Sequence, residues 1–324
     1  MREPTYRQAL LHSWQLVWHN KLLWLLGICS MVLGQWGLGD FISQMNLFVE
    51  EGFSMPPSLS GAVEMLSALN IDNVTATFLS LWFFVLVAVF VAVVIFIAVV
   101  SRGALVAVTA EWYYDRKRLS VNTAWHDGVK SFWTLLSLVI VNKLLQTAVI
   151  LGFANFLIAA VVINSRIYNI LAVIAFLISL FLVLVLETVT IFASCYAVLE
   201  GIWFGRAVKQ GWELFRRHIL VSLELGILLV VMSLVLFGVL AASSVAVFVP
   251  ALALWLAAGF SGWYILISIG LILATALFIV IGILAGGLFS AFTTTAWVYL
   301  FMKMHHEGIS SRIAHHLKNW LDIK

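Results

Sequence analysis

Lys143, Glu187 and Glu224 each interrupt a long apolar run with a charge. An ionised side chain left facing lipid costs about 2.5–3.5 kcal/mol on insertion scales, so a charge at such a position is kept where it meets a partner. Along a helix rising about 1.5 Å per residue, Lys143 stands roughly 15 Å above Trp133, near the start of its run. Glu187 stands at a similar height in the next run, and Glu224 lies somewhat lower in the one after. The spacing predicts that Lys143 pairs with Glu187, Glu224 or both, with Asn142, Gln146 and Thr188 or Thr190 beside them. Such a cluster can fix helix register as a structural ion pair. It can also relay protons or ions, or contact a polar substrate, inside the membrane.

Other chemistry-bearing patterns fail on geometry. Gly259-Phe-Ser261-Gly262 resembles the serine motif of rhomboid proteases. A serine nucleophile needs a base within hydrogen-bond reach, and all eight histidines fall in segments that the charge distribution assigns to the opposite face of the membrane. Gly37-Leu-Gly39-Asp40 and Tyr114-Asp115 resemble the paired motifs of intramembrane aspartyl proteases. Their aspartates also fall on opposite faces and cannot share a catalytic water. His305, His306, His315 and His316 do not place two imidazoles one helical turn apart, as a two-histidine metal site on a helix needs. No phosphate-binding glycine loop, nucleotide signature or nucleic-acid module occurs. The residues therefore predict no catalytic site, no metal, no cofactor and no nucleic-acid partner.

The elements that must carry the charged cluster are membrane spans. Hydrophobic residues make up 63% of the 324 positions and charged residues 10%, where a soluble domain carries about 45–50% and 25%. The mean hydropathy is +1.08. Lipid, not a protein core, must solvate most of this surface. Cys29 and Cys195 lie in apolar runs and make no disulfide framework. Six runs can cross a hydrocarbon core of about 30 Å: 22–39, 78–100, 136–163, 170–197, 219–241 and 264–300. The first is short and rich in glycine. The stretch 242–262 is apolar but broken by Pro250, Gly259 and Gly262; it reads as a loop dipping into the outer interface, or as a seventh or re-entrant segment. Sixteen of the eighteen Lys and Arg residues fall on one side, in 1–21, 101–133, 199–218 and 303–324. The positive-inside rule makes that side cytoplasmic and puts both termini there. The helical pattern from Phe78 to Arg118 would be roughly 60 Å long. Its last third, with Arg102, Glu111 and Asp115, is therefore expected to project into the cytoplasm.

A repeat organises these spans. ALLHSWQLVWH from Ala9, AWHDGVKSFWT from Ala124 and AVKQGWELFRR from Ala207 align without gaps. The alanines superpose, as do the small residues Ser13, Gly128 and Gly211. Apolar positions then match as Leu10, Trp125, Val208; as Trp14, Val129, Trp212; and as Val17, Phe132, Phe215. Their spacing of four and three puts them on one helical face. With Trp18 and Trp133 these aromatics suit a helix lying in the membrane interface. TAEWYY from Thr109 echoes TTAWVY from Thr294 in the returning helices. The chain is thus expected to be an all-α polytopic bundle of about six spans, a single transmembrane domain over 1–308. Its three hairpin repeats would cover 5–118, 119–203 and 204–308. The tail 309–324 adds an apolar stripe through Trp320 with basic residues for anionic headgroups. Gly282, Gly286 and Ser290 recur every four residues, a small-residue stripe that lets helices approach closely.

The stretch CYAVLEGIWFGRAVKQGWELFRRHILVSLELG from Cys195 and the opening SWQLVWHNKLLWLLG from Ser13 carry a resemblance. They resemble the prokaryotic multi-pass membrane domain found with some glycerophosphodiester phosphodiesterases. The likeness is one of architecture. It implies a prokaryotic plasma membrane and a non-enzymatic membrane domain, because the phosphodiesterase barrel and its metal-binding acids have no counterpart in these residues. The expected function is a scaffold that binds membrane lipids and a protein partner or a second copy of itself. The alternative is a transporter or permease working through the Lys143, Glu187 and Glu224 cluster.

Overall fold

The computed structural model describes residues 5–32, 74–114, 121–163, 165–261 and 265–307, and it is all helical over them. In chain order the helices are α1 (Thr5–His19), α2 (Lys21–Met31), α3 (Val74–Tyr114), α4 (Val121–Lys130), α5 (Phe132–Ile163), α6 (Arg166–Leu199), α7 (Phe204–Arg217), α8 (Ile219–Ser261) and α9 (Ile265–Glu307). Among the described residues, α3, α5, α6, α8 and α9 are the five helices long and apolar enough to cross a membrane. The chain is a multi-pass membrane protein. Six spans were expected. The described part of the first is the short apolar helix α2, and residues 33–39 of that run lie outside the described residues. So does the tail with Trp320.

The stretch 242–262 corrects the sequence reading. No loop forms over 242–261: α8 continues through Pro250 to Ser261. A proline removes one backbone hydrogen bond, whereas unwinding the helix in an apolar medium would strip several groups of their partners. The continuous helix is the cheaper state.

Burial divides the long helices into a compact end and a splayed end. On α3, every residue from Ala98 to Ala110 is buried, while every residue from Leu81 to Val93 is exposed. A helix can be buried on all sides only if it is surrounded, and α3 touches α2, α4, α5, α6 and α9. The same level of α6 and α9 is buried too, through Ile191–Ala197 and Thr294–Met302. Aromatic rings lock it: Phe192 meets Trp297 edge-on at 5.8 Å, and Tyr196 meets Phe301 at 4.9 Å. Toward the splayed end, contacts are largely within hairpins. Phe153 of α5 meets Phe176 of α6 at 5.7 Å, and Phe248 of α8 meets Phe278 of α9 at 5.9 Å.

Three short helices lie against this compact end. α4 packs on α3, α7 on α6, and α1 on α9. Two of these contacts depend on glycine. A β-carbon on Gly128 would lie 2.6 Å from the Val100 carbonyl oxygen, and one on Gly211 would lie 2.9 Å from the Ala193 nitrogen. The buried stripes are Ala124 and Gly128 on α4, Ala207, Gly211, Leu214 and Phe215 on α7, and Ala9, Ser13, Leu16 and Val17 on α1. α1 is also tied to α9 by a hydrogen bond from the Lys303 ammonium to Gln8 Oε1. The His12 ring stacks on Tyr299 at 5.0 Å.

Candidate functional site: a buried polar cluster and three exposed aromatic stripes

The polar cluster forms where α5 and α6 pair and α3 leans on both. Gln146 Nε2 donates to Glu187 Oε1 at 2.7 Å. A cation acting on Glu187 is Arg102 of α3, which is 4% exposed. Arg102 was expected on a helix end reaching water. It is buried instead because α3 is surrounded at that level. Asn142, one turn from Gln146 on the same face of α5, is 6% exposed, and its Oδ1 has no hydrogen-bond partner among the described residues. Ser101 Oγ, beside Arg102 in the chain, and Ser222 Oγ and Glu224 Oε1 on α8 are likewise buried without such a partner. Lys143 is half-buried. The Thr188 and Thr190 hydroxyls turn back to the Leu184 and Leu186 carbonyls on their own helix, at 2.8 and 2.7 Å. Val99, Leu138, Ile191 and Cys195 are buried in the apolar core at this level. Arg102, Asn142 and Gln146 are therefore enclosed by packing, whereas Glu187 and Lys143 are half-exposed.

The expected interfacial residues divide into two groups. Trp14, Trp18, Trp133 and Trp212 are exposed. Trp14 and Trp18 stack on one another at 5.2 Å. Trp125 is half-buried against the core, and Phe215 is 2% exposed. Phe215 is a core residue and not an interfacial one, because it continues the buried stripe of Ala207 and Gly211. The small residues of α9 also sort. Ser290 is buried, and its hydroxyl lies 2.9 Å from that of Ser30 on α2. Gly286 is buried. A β-carbon on Gly282 would meet no atom within 4 Å. The close approach to α2 is made by Gly287, which sits against Ile28, while Gly27 of α2 sits against the Gly287 carbonyl.

A feature that the sequence did not reveal is a cavity of about 450 Å³ at the compact end, where α3, α4 and the α6–α7 link meet. Glu111, Asp127, Glu200 and Lys130 line it. Gly201, at φ 66°, turns the chain at its wall. Nothing in the spacing of these residues links them before the helices are packed. Among the described residues, no three His, Cys, Asp or Glu side chains are grouped so as to hold a metal ion.

No protein family matches the chain, and neither does any curated protein or solved structure.

Proposed function

We propose that this protein is a non-enzymatic membrane scaffold of three hairpin repeats, lying in a prokaryotic plasma membrane with both termini in the cytoplasm. Its short helices α1, α4 and α7 rest on the inner leaflet and hold lipid or a partner protein there. The observation that carries this reading is the common construction of the three helices. Each turns a stripe of small residues onto a long helix and leaves a second stripe, centred on Trp14, Val129 or Trp212, exposed. Tryptophans displayed on that face suit the headgroup level, where an amphipathic ring has both an apolar and a polar neighbour.

The buried Arg102 and Gln146 with the half-exposed Glu187 favour a second reading, a permease working through them. The apolar packing around them weighs against it, since a relay or a substrate site needs water or solute to reach the charges.

Native mass spectrometry of the protein extracted in mild detergent separates the two. The scaffold keeps lipid or a partner chain at defined stoichiometry, and Glu187→Gln keeps it equally. A bare chain whose proteoliposomes conduct protons or a solute, with the flux lost in Glu187→Gln, would overturn the scaffold.

A further inference from the structure

The exposed stripes of the three short helices occupy one register but differ in chemistry. Counted from the superposed alanines Ala9, Ala124 and Ala207, the third, sixth and tenth residues are Leu11, Trp14 and Trp18 in the first copy. They are His126 and Val129 in the second, where α4 ends at Lys130 and the tenth residue, Trp133, stands on α5, and Lys209, Trp212 and Arg216 in the third. At about 100° per residue, these three positions fall within an arc of about 60° on α1 and on α7, away from the small-residue stripe. All nine side chains are exposed. In the first copy the stripe is wholly apolar, and lipid is the solvent such a surface requires. The same register on α7 turns Lys209 and Arg216 toward the same surface, one on either side of Trp212.

The remaining charges on α7 are arranged differently. Arg206 and Arg217 lie beyond Glu213, away from Trp212. Glu213 lies one turn from Lys209, Arg216 and Arg217 alike, so one carboxylate stands among four cations on this helix. Lys209 and Arg216 are the two cations nearest Trp212 on this helix, one turn before and one turn after an indole ring that can lie at headgroup depth.

We propose that Lys209, Trp212 and Arg216 form a binding site for the headgroup of an anionic phospholipid. The two cations would hold its phosphodiester and the indole would pack on its glycerol and upper acyl chain. This deepens the scaffold reading and rests on it: of the three stripes, the third alone would select lipid by charge.

The test is native mass spectrometry of the full chain in mild detergent, titrated with phosphatidylglycerol or phosphatidylcholine of matched chains. Phosphatidylglycerol is expected to bind roughly tenfold or more tightly than phosphatidylcholine, with a preference that weakens as salt rises. Lys209→Gln with Arg216→Gln is expected to abolish that preference. Arg206→Gln with Arg217→Gln removes the same net charge and is expected to keep it. Unchanged melting temperatures check that both variants fold. Equal loss in the two double variants would overturn the proposal, because net charge alone would then explain it. So would displacement of the lipid by inorganic phosphate, or tighter binding of a short RNA through the same two residues. A chain that retains both lipids without preference defeats this site and leaves the scaffold standing, whereas a chain that retains neither lipid nor partner defeats both.

Discussion

Arg102 is a buried cation of the compact end, and Glu187 is a carboxylate that acts on it. A buried charge that loses its counter-charge costs about 3–5 kcal/mol, whereas replacing both members with apolar groups of similar volume is close to neutral. Glu187→Leu is therefore expected to destabilise the protein toward the lower end of that range, since Glu187 is half-exposed. Arg102→Met combined with Glu187→Leu is expected to restore most of the loss. Thermal unfolding in detergent checks both; a double variant as unstable as the single one would contradict the coupling. Half of this cluster was legible in the sequence. Glu187 and Gln146 sit in runs so apolar that they stand out, and their heights match when two helices run antiparallel. Arg102 did not stand out, because it lies near a basic segment and looks like the end of a span. Its burial is a consequence of five neighbouring helices around α3, and no local pattern encodes that.

The short helices are built on close approach. A side chain at position 211 would push α7 off α6, since even its β-carbon would fall 2.9 Å from the backbone nitrogen of Ala193. Overpacking against side chains costs typically about 1–3 kcal/mol, and backbone yields less readily. Gly211→Val is expected to destabilise by at least about 2 kcal/mol. Gly282→Ala, where a β-carbon meets nothing within 4 Å, is expected to be neutral or to stabilise by up to about 1 kcal/mol through helix propensity. Melting temperatures of the two variants test the contrast; equal effects would mean that α7 is not seated through Gly211. The recurrence of alanine and a small residue four positions later predicted which stripe could sit close to another helix. It did not say that Phe215 would join that stripe while Trp212 turned away, because these helices carry apolar side chains on two faces and periodicity sums over both. The helix through Pro250 was missed for a related reason. Proline is a strong breaker where water can satisfy the freed carbonyl, and a weak one where it cannot.

The molecule as a whole joins a compact end, where α3, α6 and α9 meet, to hairpins that separate toward the other end. The helices α1, α4 and α7 are fixed to the compact end. α1 packs on α9, so the first and last described helices meet. Composition and span length were enough to read an all-helical membrane protein. The compact end was not readable, because apolar residues facing lipid and apolar residues facing protein have the same hydropathy. The proposed arrangement places the three short helices on one membrane surface with their exposed stripes in the headgroup layer. Spin labels placed singly at positions 14, 129 and 212, in protein reconstituted into lipid nanodiscs and freed of Cys29 and Cys195, measure this directly through their relative exposure to oxygen and to an aqueous nickel complex. One shared depth at the headgroup level is expected for all three, with oxygen the more effective relaxant. A label at any of the three positions that behaves as fully water-exposed would contradict it.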